Sequence, residues 1–183
     1  PTRTFYTHNL NASGGHDSDS ALSLFASSNP ALSGATGAAN LNVTDAADCM
    51  NYIRAQGIYK PGTAGTGRTW LMGDILHSRP ALLRYGNYNL LFVGANDGFL
   101  HCIEDNQNDD NSDLTELAND TVRVPWSFVP WELVGTLHEI RDDANREYFV
   151  DNIPVLYDPI SSYNVDGSPN YSGDKLLTFG LRR

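Results

Sequence analysis

Apolar residues fall in short runs through the second half of the chain. They occupy 80–85, 90–94, 99–104 and 122–130, and each run is closed by Gly, Asn, Asp or Pro. Runs of this length between turn formers predict β-strands. Gly86-Asn87-Tyr88-Asn89 separates the first two, and Ala95-Asn96-Asp97-Gly98 the second and third. Asp97-Gly98 is the kind of pair that accepts the positive φ of a two-residue hairpin turn. In the fourth run Val124, Trp126 and Phe128 alternate onto one face. Four such strands form an antiparallel meander that must lay a face on another layer. With a Trp in the outermost strand, the meander has the form of one propeller blade, about 80–130.

Helical spacing appears twice. Ala46, Cys49, Met50 and Ile53 follow i, i+3, i+4, i+7 and predict a helix over 44–56. Thr44 is its expected N-cap, Asp45 and Asp48 lie in the first turn where the dipole favours anions, and Gly57 stands where a C-cap belongs. Leu133, Leu137 and Ile140 predict a second helix over 131–143, started by Pro130, with His138 near its end capping carbonyls. Runs at 148–157 and 175–180, split by the turn-rich 158–174, predict the start of a second blade over 148–183. Residues 1–43 are rich in Ser, Ala, Gly and Asn without a sustained period, and predict an extended segment. The chain thus divides into 1–43 and a mainly β unit over 44–183.

Charge narrows the partners. The formal net charge is −10, from 22 acidic and 12 basic residues. Phosphate recognition rests on clustered Lys and Arg, so nucleic acid and anionic lipid are poor partners. No stretch is long and apolar enough to span a membrane. The chain opens at Pro1 and closes inside a predicted strand, and reads as an excerpt of a longer protein. Its two cysteines, Cys49 and Cys102, lack the spacing of a zinc site and leave two readings open: one disulfide, or two buried thiols.

The acidic surplus concentrates in one loop. Asp105, Gln107, Asp109, Asn111, Asp113 and Glu116 fall at positions 1, 3, 5, 7, 9 and 12 of a calcium loop. Calcium takes six to eight oxygen ligands, and alternate oxygen-bearing residues let a short loop wrap it. Position 6, where the pattern wants Gly, holds Asp110, a residue that tolerates left-handed backbone better than most. The competing reading is an acidic hairpin loop without a metal. Other chemistry is sparse. His16-Asp17-Ser18-Asp19 reads as solvated loop, and the Gly-Thr-Gly at 65–67 has no GKS or GKT after it to make a phosphate loop. Neither GxSxG nor HExxH occurs, and no Ser/His/Asp grouping is readable from spacing. Asp74, His77, Asn96, Asp97 and His101 sit inside the strongest motifs and read as turn and strand-end residues.

Those motifs carry a resemblance. Asn51-Tyr52-Ile53-Arg54-Ala55, Gly73-Asp74-Ile75-Leu76-His77-Ser78-Arg79-Pro80 and Phe92-Val93-Gly94-Ala95-Asn96-Asp97-Gly98-Phe99-Leu100-His101 appear in order. Trp126-Ser127-Phe128-Val129-Pro130, Tyr148-Phe149-Val150-Asp151 and Leu177-Thr178-Phe179-Gly180-Leu181 follow. The ordered set, from about 46 to the end, resembles the C-terminal β-propeller of the PilY family of type IV pilus tip-associated adhesins and biogenesis factors. The resemblance implies part of a modified seven-bladed, quinoprotein-like propeller on an extracellular, bacterial pilus-tip protein. It implies no catalysis, pilins and a host or abiotic surface as partners alongside the rest of its own chain, and calcium in an acidic loop. Two other functions fit a propeller: a quinone-cofactor dehydrogenase, and a glycan binder stacking sugars on Tyr85, Tyr88 and Trp131. If the loop holds calcium, titration calorimetry gives a binding heat that Asp109→Ala abolishes; absence of any heat removes the calcium reading.

Overall fold

A mainly β architecture emerges, with few helices. The computed structural model describes residues 3–8, 22–54, 72–85, 88–106, 121–142, 149–157, 162–165, 169–170 and 175–181. In chain order these form β1 (Thr4–Thr7), β2 (Ser23–Leu24), a 3-10 turn (Pro30–Leu32), α1 (Gly34–Asn40), α2 (Ala46–Ile53), β3 (Ala81–Tyr85), β4 (Tyr88–Gly94), β5 (Leu100–Asn106) and β6 (Thr121–Val129). Then come α3 (Trp131–Val134), α4 (Glu139–Asp142), β7 (Val155–Tyr157), β8 (Ser162–Tyr163), β9 (Pro169–Asn170) and β10 (Leu176–Thr178). Among the described residues no helix is long and apolar enough to cross a membrane.

The expected meander is the centre of the molecule. β3, β4, β5 and β6 pair antiparallel in succession, with Leu91 opposite Leu82 and Ile103, and Cys102 opposite Trp126. β1 then adds to β6 in parallel and β2 to β1 antiparallel, giving one open, mixed sheet in the order β2-β1-β6-β5-β4-β3. A bulge between Cys102 and Glu104 interrupts the β5–β6 ladder. The hairpin between β4 and β5 is a three-residue loop instead of the expected two. Ala95 N–H donates to Phe99 O at 3.0 Å, and only Gly98, at φ +85°, is left-handed. This is the type I turn plus left-handed residue that three-residue hairpins use, so Asp97 keeps ordinary backbone and frees its carboxylate for other work.

Alternation along the strands gives the sheet two apolar faces. One carries Phe5, Phe99 and Val129 and packs on Phe25, Leu32, Leu41, Cys49, Met50 and Ile53 of the helical region. The other carries Leu83, Phe92, Leu100 and Cys102, and receives Leu156, Leu177 and Phe179 from β7, β10 and the residue just past it. β7 and β10 pair antiparallel, Leu177 opposite Leu156, while β8 and β9 form a small hairpin between them. Cys49 and Cys102 therefore sit on opposite faces as buried thiols, without a disulfide.

Three expected boundaries move. The stripe of α2 is buried as expected, but its N-cap is Asp45, whose carboxylate accepts from Asp48 N–H, and its last residue is Ile53, with Arg54 as C-cap. The segment over 1–43 is not extended throughout: α1 forms, and Phe5, Phe25, Leu32 and Leu41 enter the core. The predicted helix over 131–143 breaks into α3 and α4, because Thr136 Oγ1 donates to Leu133 O and the backbone between runs through i to i−3 bonds. His138 Nδ1 donates to Gly135 O at 3.0 Å, a capping role.

The large sheet meets the segment before β7 closely at Gly94, where a Cβ would stand 2.3 Å from the Val150 carbonyl oxygen. Gly94→Ala should therefore cost about 1–3 kcal/mol in a urea melt, as overpacking against backbone does; an unchanged midpoint would contradict this packing.

Candidate functional site

The ring of His101 and the backbone of two motif segments converge on the Asp97 carboxylate. Asp97, in the β4–β5 loop, accepts from Gly73 N–H through Oδ2 at 2.8 Å and from Phe99 N–H through Oδ1 at 3.3 Å. His101 Nε2–H donates to the same group, 3.1 and 3.2 Å from its two oxygens. Across the β5–β6 ladder, where His101 is paired with Ser127, the Ser127 hydroxyl meets His101 Nδ1 at 2.7 Å. Asp97 is 2% exposed and His101 and Ser127 are both 0% exposed.

Ser, His and Asp in a row invite a hydrolase reading, and the geometry argues against it. In the serine-nucleophile arrangement Nε2 faces the hydroxyl and Nδ1–H faces the carboxylate. Here the ring is reversed. Phe99 lies against the ring at 6.0 Å between centroids, and Phe5 and Phe25 pack edge-on against Phe99 at 5.3 and 5.8 Å. The Ser127 hydroxyl meets protein on every side. What the relay does is tie strand β6, strand β5 and the β4–β5 loop to the incoming segment at Gly73.

That segment, 72–80, is laced along its length. Asn96 N–H donates to Asp74 O at 3.0 Å, and Gly94 N–H donates to the buried Ser78 Oγ at 3.0 Å. A Cβ on Gly73 would fall 2.4 Å from Asp97 N, so only Gly permits the approach. His77 makes the last tie: its N–H donates to Asp151 Oδ1 at 3.1 Å and its Nδ1–H to Oδ2 at 2.6 Å. Asp151 is 3% exposed while the His77 ring is 60% exposed, so the pair joins the region before β7 to the surface of the strap.

Three charged or titratable groups stand apart. Burial, with the Glu104 charge adding to it, pushes the Cys102 thiol up to about 12. Arg123 makes a bidentate bond to Glu104 on the exposed side of β5–β6, and that bond raises its pKa. Burial pulls Arg54 below the usual guanidinium range as it lies over Phe5, 5.5 Å from the ring centroid, with Arg3 at 4.3 Å from the same ring.

Of the proposed calcium ligands, Asp105 lies near the end of β5, paired with Val122. Gln107, Asp109, Asn111, Asp113 and Glu116 lie outside the described residues, as do His16–Asp19 numbered 16–19, Gly57 and the 65–67 loop. Among the described residues no group of three or more His, Cys, Asp or Glu side chains is gathered to hold a metal ion. Trp131 is half-buried at the start of α3, its ring packed against the helical face of the core. The relay and the His77–Asp151 pair escape spacing rules because both depend on strand register and sheet packing. The one readable signal was alternation: once β5 and β6 are paired, His101 and Ser127 fall opposite each other. No protein-family model matches the chain, and no curated protein or solved structure is significantly similar to it.

Asp97→Ala leaves two buried donors and the half-buried Gly73 N–H without an acceptor and Ser127→Ala disturbs one bond, so the first should be more destabilising by at least about 2 kcal/mol in denaturant melts. Alkali offers a second test. Between the ordinary thiol value near 9 and about 12, the unfolded chain releases the Cys102 proton while the folded chain keeps it. Stability should therefore be fully present below pH 9 and fall as pH rises through that window, and Cys102→Val should flatten this part of the curve.

Proposed function

We propose that this chain is part of a propeller in a PilY-like type IV pilus tip protein, acting outside the cell by protein contact rather than catalysis. The observation that carries the reading is the stacking of the β7–β10 pair against one face of the four-stranded β3–β6 meander. Successive propeller blades are four-stranded antiparallel sheets set radially about an axis, so that each lays a face on the next. The ordered motifs support it further, because their polar residues are spent on internal ties that fix one blade and dock the next: Asp97 to Gly73, Ser78 to Gly94, His77 to Asp151. A module so arranged offers a rigid outer surface. On this reading pilins and the rest of its own chain are the nearest partners, a host or abiotic surface is the adhesion target, and the acidic loop starting at Asp105 makes the contact calcium-responsive.

Deleting the coding segment for residues 73–179 in the parent organism should strip surface pili, counted by electron microscopy, while pilin is still made. Normal pilus numbers would remove assembly as the role.

A further inference from the structure

β1 pairs with β6 over only part of that strand. β6 is nine residues long, and β1 covers only its last four, from Trp126 to Val129. Along the remaining length, 121–125, no strand among the described residues pairs with that edge, and Val122 there is 70% exposed. β1 is also the one parallel addition among the strands of this sheet.

Its two inward side chains differ in quality. Phe5, opposite Ser127, is 3% exposed and packs edge-on against Phe99. Thr7, opposite Val129, is 0% exposed, and its hydroxyl has no hydrogen-bond partner. A buried hydroxyl without a partner keeps its desolvation cost and gains nothing for it. An aliphatic residue of the same shape would fit that place better than the residue the chain supplies.

We propose that the β6 edge is a strand-accepting site, filled in cis by β1 and open to an extended segment of a partner protein. The segment it fits runs parallel to β6 and places an aromatic residue where Phe5 sits and an aliphatic one where Thr7 sits. Main-chain bonds to the ladder supply affinity, and the two inward pockets supply selectivity, as in other strand additions. Pro125, which has no N–H to give, marks where the continuous ladder stops and limits pairing with arbitrary strands. This inference does not depend on the pilus reading.

The test uses the intact chain and a fluorescent peptide copying residues 3–8 with Thr7→Val. Anisotropy should show saturable binding, about tenfold tighter than for the unaltered peptide, the gain expected when a buried orphan hydroxyl becomes a methyl. A chain carrying Thr7→Val itself should bind the same peptide more weakly, because its own β1 now holds the edge better. Hydrogen exchange should show the amides of 5–7 speeding up with peptide bound while those of 127–129 stay slow. No saturable binding, equal binding by a peptide carrying Phe5→Asp, or β1 amides that stay protected in the complex would each overturn the proposal.

Discussion

Asp97 is the constraint on which the arrangement depends. One carboxylate with four lone-pair directions serves the backbone of the strap, the backbone of its own hairpin and the ring of His101, and through that ring reaches Ser127 on the next strand. Buried carboxylates are costly unless fully satisfied, and this one accepts from three places in the sequence, Gly73, Phe99 and His101. Those donors come together only when β4, β5, β6 and the 72–80 strap are all in register. The network therefore specifies geometry more than it adds stability: a slip of one residue between β5 and β6 would turn His101 and Ser127 to opposite faces.

Around this hub the sheet acts as a partition. The helical residues from α2 close one face, the β7–β10 pair closes the other, and the His77–Asp151 tie and the Gly94–Val150 contact fix the second layer's position against the first. Chemistry that looks catalytic in a list of residues is here a fastening. The same side chains in a solvent-lined cleft would invite another reading, which is why burial decided the matter and residue identity did not.

Much of the fold was legible because it is local. The strands of the meander are apolar runs between turn formers, and α2 shows both its stripe and its acidic first turn. What escaped was non-local. β1 is four ordinary residues until β6 exists beside them. α1 contains two glycines in seven residues and has poor intrinsic propensity, but Gly37 is needed because a Cβ there would lie 2.2 Å from the Leu32 carbonyl carbon. Packing overrides propensity at that point. In the same way the hydroxyl of Thr136 competes with the backbone and divides what the Leu133, Leu137 and Ile140 stripe presents as one helix. Of the site, Asp97 was legible only as a turn residue and His101 only as a polar residue within a motif, and their partnership with Ser127 was not legible, since no spacing encodes a cross-strand pair twenty-six residues apart.

The parallel union of β1 with β6 also sets a schedule for synthesis. Thr4 pairs with Trp126, so roughly 120 residues must follow β1 off the ribosome before its partner is made. At about 5–20 residues per second the first strand waits about 6 to 24 seconds with Phe5 uncovered. The nascent chain thus holds β1 without its parallel partner until β6 emerges from the exit tunnel, and β7 and β10 can pack on the sheet only after that.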